Sequence, residues 1–259
     1  MGIVMNEYEW AEQMISNHDL GPKPIETLSR IAKYYRANQY DCKDVRILLE
    51  KFLTQCDPYA SIVRWSDTLD KIAKNSGRHK LIKIDYVPIS QSELDCIQNL
   101  NGTQIKRLAF VLLCVSKYWD IVSVKNNHWV NTSDKDIMKM ANITTSIRRQ
   151  SAMFGELKEK GLIKFSKKID NLNVQVLFSD QNPDVMKISD FRNLGYQYLK
   201  HYGGDYIECE NCGLTVKIQH PEAHRKQKYC PSCAVEVRTR QNVNSVMRHR
   251  EMLKVKANL

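Results

Sequence analysis

Cys209-x2-Cys212 and Cys230-x2-Cys233, with 17 residues between the pairs, are the side chains of this sequence best spaced for chemistry. A CxxC turn aims two thiolates at one point, and two such turns close a tetrahedron around a metal ion about 2.3 Å from each sulfur. The separation falls in the window of two-knuckle zinc sites. Gly213 follows the first pair and Pro231 lies inside the second, and LTVKI at 214–218 alternates like a short strand. Four thiolates leave no position open for water, so the expected cofactor is one structural Zn²⁺, not a catalytic one. His220 and His224 could each replace a cysteine, but four sulfurs already complete the set. A thioredoxin-like redox role needs a single CxxC in a βαβ setting, which is missing. Disulfides need an oxidising compartment, and the opening MGIVMNEYEWAEQM has no basic segment followed by a long apolar run. Cys42, Cys56, Cys96 and Cys114 are scattered singly and are expected to be small reduced core side chains.

No other catalytic signature holds. GxxxxGK[ST], HExxH, GxSxG and a glycine-rich dinucleotide loop are absent from the sequence, which argues against NTP-driven, protease or esterase chemistry. Scattered Asp and Glu form no clustered acid-plus-lysine motif, so a nuclease is a distant alternative. Asn126-Asn127-His128-Trp129 is polar and aromatic, but its place between two predicted helices favours a structural turn.

Composition is that of an ordinary soluble protein: 259 residues, 42% hydrophobic and 26% charged. The longest apolar run, LAFVLLCV at 108–115, has helix-core length, not membrane length, so no membrane partner is expected. The formal net charge is +10, which points to polyanions, nucleic acid first. Residues 213–259 carry ten Lys and Arg against Glu222, Glu236 and Glu251, so this end supplies +7 of the total. Positions 234–259 hold no Gly or Pro and read as one basic helix whose apolar residues Val235, Val243, Val246 and Met247 make only a weak stripe. Such a helix suits a phosphate backbone better than a core.

The elements upstream follow from periodicity. Thr103 caps a helix with Ile105, Leu108, Ala109, Leu112 and Leu113 on one face. Ser133 and Asp136 form a capping box for a second, short helix with Ile137, Met140 and Ala141 inward. A third helix ends at Gly161, and alternation on both sides of Asp170-Asn171 predicts a β-hairpin. Three helices and a hairpin make a winged helix-turn-helix, and LKEKGLIKF closely resembles the helix-to-wing junction of many bacterial and phage winged-helix proteins. Helical counting puts Ile147, Ser151, Phe154 and the Lys158 stem on one side of the third helix, with Thr145, Arg148, Arg149 and Ala152 opposite. The second face could read a major groove, while Lys164, Lys167 and Lys168 would approach phosphates from the wing.

Residues 22–80 predict a helical bundle. Ile25, Leu28, Ile31, Ala32 and Tyr35 share one face, as do Val45, Leu48, Leu49, Phe52 and Leu53 on the next helix, with a third helix from about Ser66. The stretch ETL…IAKYYRANQYDCKDVRILLEKFLTQCDPYA…WSDTLDKIAKN resembles the small helical domain at the C-terminus of some phage and plasmid primases. The resemblance covers about 55 residues. No polymerising domain precedes it here, so it implies a place among replication proteins and not nucleotide polymerisation.

The expected fold is mainly α with small β: a lead-in at 1–21, the bundle at 22–80, a connector at 81–102, the winged helix at 103–179, a linker at 180–204 hinged at Gly203-Gly204, and a four-cysteine zinc ribbon with a basic helical tail at 205–259. As a whole it looks like replisome organisers and helicase-loading adaptors of phages and mobile elements, which implies a cytoplasmic location in a bacterial host cell. The expected function is non-enzymatic DNA binding in replication initiation, with a helicase or primase as protein partner. DNA contacts are expected from Thr145, Arg148, Arg149, Lys164, Lys167, Lys168, Arg225, Lys226, Lys228, Arg238, Arg240, Arg248 and Arg250. A phage transcriptional regulator, and a zinc-ribbon subunit or inhibitor in a defence or recombination complex, remain as alternatives. Oligomeric state is not specified.

Overall fold

Local signals start most of the helices. In the computed structural model, which describes residues 3–166, 173–222 and 226–257 with side chains as far as 248, Asn6 opens α1 (Glu7–Ser16) by accepting from the N–H groups of Tyr8 and Glu9. Pro24 opens α2 (Pro24–Ala37) at a position where a helix has no use for its N–H. The Asp41 carboxylate caps α3 (Cys42–Cys56) through the N–H groups of Lys43 and Asp44. α4 runs Ile62–Asn75, about one turn earlier than its expected start. The apolar stripes of these helices meet in one core containing Ala11, Leu28, Ile31, Leu49, Phe52 and Leu69. The stretch expected as a lead-in therefore carries a helix, and Ala11 of α1 is fully buried in that core.

β1 (Val87–Ser90) leads directly into α5 (Gln91–Gln98), and α6 (Thr103–Val122) follows. Next come β2 (Trp129–Val130), α7 (Asp134–Met140), α8 (Ile147–Glu159), β3 (Ile163–Phe165) and β4 (Val174–Val176). The chain continues through β5 (Asp184–Ile188), α9 (Leu194–His201), β6 (Tyr206–Glu208), β7 (Thr215–Lys217) and α10 (Pro231–Ala257). Among the described residues, these ten helices and seven short strands make a mainly helical fold with small sheets, ending in a four-cysteine cluster.

Two compact units divide the chain. The first holds Met1–Gln91, Ser116–Trp129 and Asp180–Phe191; the second holds Ser92–Val115, Val130–Ser179 and Arg192–Leu259. In the first, β1 pairs antiparallel with β5, Val87 opposite Ile188. Lys117 donates to the Pro88 carbonyl at 2.9 Å, and the Tyr118 hydroxyl donates to the Val4 carbonyl at 3.3 Å. Asn126–Trp129 forms a turn around Asp120: one carboxylate oxygen accepts from the His128 N–H and the Asn126 amide, while the other meets His128 Nδ1 at 2.5 Å. That is a structural use of the motif.

In the second unit the Ser133 hydroxyl caps α7 and the Ser146 hydroxyl caps α8. The three-stranded sheet has the order β2-β4-β3, with Ile163 opposite Val176; the expected hairpin tip at Asp170-Asn171 lies outside the described residues. α8 buries Met153, Phe154 and Leu157. The expected inner face is therefore corrected: Ile147 is 80% exposed and Ser151 is exposed, because the helix begins only at Ile147 and its first turn extends past the core. The cysteine expectation needs a similar correction. Cys114 is buried, but Cys42 and Cys96 are exposed and Cys56 is half-buried. Cys42 sits in the first turn of α3, and Cys96 lies between the buried Leu94 and Ile97 on the outer face of α5.

Candidate metal centre

The β6–β7 hairpin supplies the frame: Tyr206 pairs with Lys217 and Glu208 with Thr215. At its tip the Cys209 N–H donates to Leu214 O at 3.0 Å and the Gly213 N–H to Cys209 O at 2.8 Å. Gly213 takes φ +71°, where a side chain would be strained. The turn thereby points Cys209 and Cys212 to one side. The Glu210 N–H donates to Lys228 O at 3.0 Å, which brings in the second pair, and Cys233 lies in the first turn of α10.

All four sulfurs lie within 4.8 Å of one another, and Cys212 and Cys230 are 3.8 Å apart. A tetrahedron with bonds of about 2.3 Å has edges of about 3.8 Å, so the donor set fits one ion. All eight cysteines are free thiols. At Cys209 and Cys230 polar groups already favour thiolate. Burial works to raise the Cys209 thiol, but the main-chain N–H groups of Cys230, Asn211 and Cys212 outweigh it and hold it down at about 6. The Ser232 hydroxyl, 3.2 Å away, and then the Cys233 N–H lower Cys230. The Asn211 amide donates to Cys233 Sγ at 3.3 Å and favours its thiolate, but the neighbouring Cys230 side chain and burial leave Cys233 raised. Burial pushes Cys212 up to about 12, the proton a closing metal would displace. The cluster is consistent with one structural metal ion, and four thiolates are a donor set typical of zinc. His220 is well exposed and sits 4.0 Å from Glu222; His224 lies outside the described residues.

Sequence reasoning missed how this module is held. Arg192 donates to Cys212 O at 2.7 Å. Asn193 donates to Thr215 O at 2.9 Å and accepts from the Asn142 amide at 2.9 Å, while Arg107 donates to Asn142 O at 3.1 Å. The hairpin is thus tied through α9 to the turn between α7 and α8. Asn142 and Asn193 both adopt positive φ, 55° and 52°, which Asn tolerates better than most residues. Their appearance at helix boundaries was the available signal. The Gly203-Gly204 pair, expected as a hinge, closes α9 by donating to Lys200 O and Leu199 O.

The expected DNA contacts lie on α8, β3 and α10 and on the loop that precedes α10. Arg148 and Arg149 are exposed on α8, with Thr145 half-buried just before it, and Lys164 is exposed on β3. Lys226 is exposed, whereas Lys228 is engaged by Glu210 at 3.2 Å. Arg238, Arg240 and Arg248 are exposed on α10. Lys167, Lys168 and Arg225 lie outside the described residues, as does the Arg250 side chain. No described helix is long and apolar enough to cross a membrane. Compared with known proteins, no family model, curated protein or solved structure matches the chain.

Proposed function

We propose that this chain is a non-enzymatic DNA-binding protein of a phage or mobile element that acts in replication initiation, bringing a helicase or primase to DNA. In this reading α6 through β4 form a winged helix-turn-helix. α8 reads the groove with Arg148 and Arg149, Lys164 meets phosphate from the wing, and the cysteine module is a zinc ribbon holding one structural Zn²⁺. The observation that carries the reading is α10. From Ala234 to Arg248 every residue but Val237 is exposed, Arg238, Arg240 and Arg248 included, and Glu236 is the one acid in that span. A long cationic helix with almost no core face is suited to neutralising phosphates and releasing their counterions.

The test is a salt series of binding to duplex DNA. Ending the chain after Arg238 keeps the four cysteines and removes five cations, Arg240, Arg248, Arg250, Lys254 and Lys256. At about 0.9 per neutralised phosphate, the slope of log K against log salt should fall by up to about 4.5. Arg148→Ala/Arg149→Ala should instead flatten the preference among duplex sequences. A full chain that does not shift duplex DNA at modest ionic strength, or an unchanged slope after truncation, overturns the reading.

A further inference from the structure

We propose that a cleft in the first unit docks an acidic, amphipathic peptide segment of a protein partner. The inference rests on the recruiting half of the proposed function and not on DNA contact.

The cleft encloses about 710 Å³, within the roughly 300–1,000 Å³ of ordinary ligand sites. One wall is a face of α2, another the last turns of α6, and between them runs the stretch 79–84. Its apolar lining includes Ile25, Leu81, Trp119 and Ile121, and at its mouth Ile25 is 57% and Ile121 47% exposed. Two large aliphatic side chains held open beside a cavity are suited to receiving apolar groups from a partner.

Charge then selects the partner. Two acids line the cleft, and both are engaged. Glu7 is buried, with Arg30 Nε at 3.1 Å, Lys33 Nζ at 3.5 Å and the Ile82 N–H at 3.0 Å. Glu26 pairs with Lys23 at 2.8 Å. Lys80 and Lys83 are exposed on the rim, so the cleft is cationic toward a visitor. A free phosphate is a poor match, because the α2 end carries Pro24, which has no N–H to offer it, and a phosphate would leave Ile25 and Ile121 uncovered. A nucleic-acid backbone would pair with Lys80 and Lys83 but leave Ile25 and Ile121 uncovered. A peptide with carboxylates beside large apolar residues satisfies both features. It can also use main chain: Glu7 N–H donates to Ile82 O and Ile84 N–H to Met5 O, so Lys83 between them turns its own N–H and carbonyl to the opposite edge, available to extended backbone.

The test pans a displayed library of random dodecapeptides on the full chain, with Lys80→Glu/Lys83→Glu protein for subtraction. Binders are then measured by fluorescence anisotropy against the wild type, that variant and Ile25→Ser/Ile121→Ser. The four substituted residues are exposed, and melting curves confirm folding before binding is compared. The expected peptides place Asp or Glu beside large apolar residues and lose at least tenfold in affinity on each double variant, while duplex DNA binding is unchanged. An empty selection, peptides without acidic enrichment, or affinities unmoved by both variants would sink the proposal. So would a labelled single-stranded oligonucleotide whose affinity Lys80→Glu/Lys83→Glu removes. If the full chain fails to bind duplex DNA but the peptides behave as expected, the DNA reading falls and the docking site stands.

Discussion

Two helical glycines should respond to the same substitution with opposite signs. Alanine normally gains about 0.5–1 kcal/mol over glycine inside a helix, because the unfolded chain has less freedom to lose. Gly155 in α8 has nothing within 4 Å of an added Cβ, so Gly155→Ala should realise that gain. Gly195 in α9 differs: its added Cβ would lie 2.1 Å from the Ala141 carbonyl oxygen and 2.6 Å from the carbonyl carbon. Both are main chain, so no side chain can swing aside. The overlap of about 1 Å must be relieved by moving α9 off the end of α7. Overpacking costs about 1–3 kcal/mol in well-packed cores, and a backbone obstacle belongs at the upper end. Net of the helical gain, Gly195→Ala should lose about 2 kcal/mol. For a unit this size that lowers the melting midpoint by about 6–8 °C, against a rise of about 2–4 °C for Gly155→Ala. Thermal unfolding followed by far-UV circular dichroism reads both, and metal content should be unchanged because neither residue neighbours a sulfur. Equal shifts in the two variants, or an unmoved midpoint in Gly195→Ala, would refute the close approach.

Metal analysis of purified protein should return one zinc per chain, and Cys212→Ser should lose most of it, because three thiolates and a hydroxyl no longer close the tetrahedron. Glu7→Gln should lower the urea midpoint by the equivalent of about 2 kcal/mol. Stranding the partners of a fully buried charge costs about 3–5 kcal/mol, and Arg30 and Lys33, at 21% and 23% side-chain exposure, recover part of that from solvent. No change in Glu7→Gln would mean that this carboxylate does not hold α1 to α2.

What could be read in advance followed from local rules. The CxxC pairs, the Ser133 cap and the stripe Val45, Leu49, Phe52, Leu53 each announce themselves within a few residues. α1 escaped because only Ala11 and Glu7 are buried along it, and a buried glutamate does not register as an inner-face residue until its partners on α2 are known. The β1–β5 pair escaped for a related reason: Val87 and Ile188 are distant in sequence, and neither strand is long enough to show alternation alone. The phase of α8 was misjudged at one end, since periodicity says which residues share a face but not where the core beneath it stops. Gly195 gave no warning because close approach belongs to the partner backbone.

The cysteine module connects fold and charge. Four thiolates around one divalent ion would carry net negative charge, and α10 begins inside that cluster with the Cys233 N–H turned to the Cys230 sulfur, so its N-terminal end faces the charge it best stabilises. Ordering a residue costs about 1–2 kcal/mol, and the exposed residues from Ala234 to Arg248, Val237 excepted, bury little in return. Helix formation there depends on a nucleus, the costly step for any isolated helix, and the Cys230–Cys233 turn provides one, closed by the Ala234 N–H on Cys230 O at 2.9 Å. The same cluster is fastened to the α7–α8 turn through Asn193. A metal here would do no chemistry on a substrate; it would give a cationic helix a fixed origin relative to α8. The proposed grip on DNA depends on that relation, because charge carried on an unanchored tail could add affinity but not orientation.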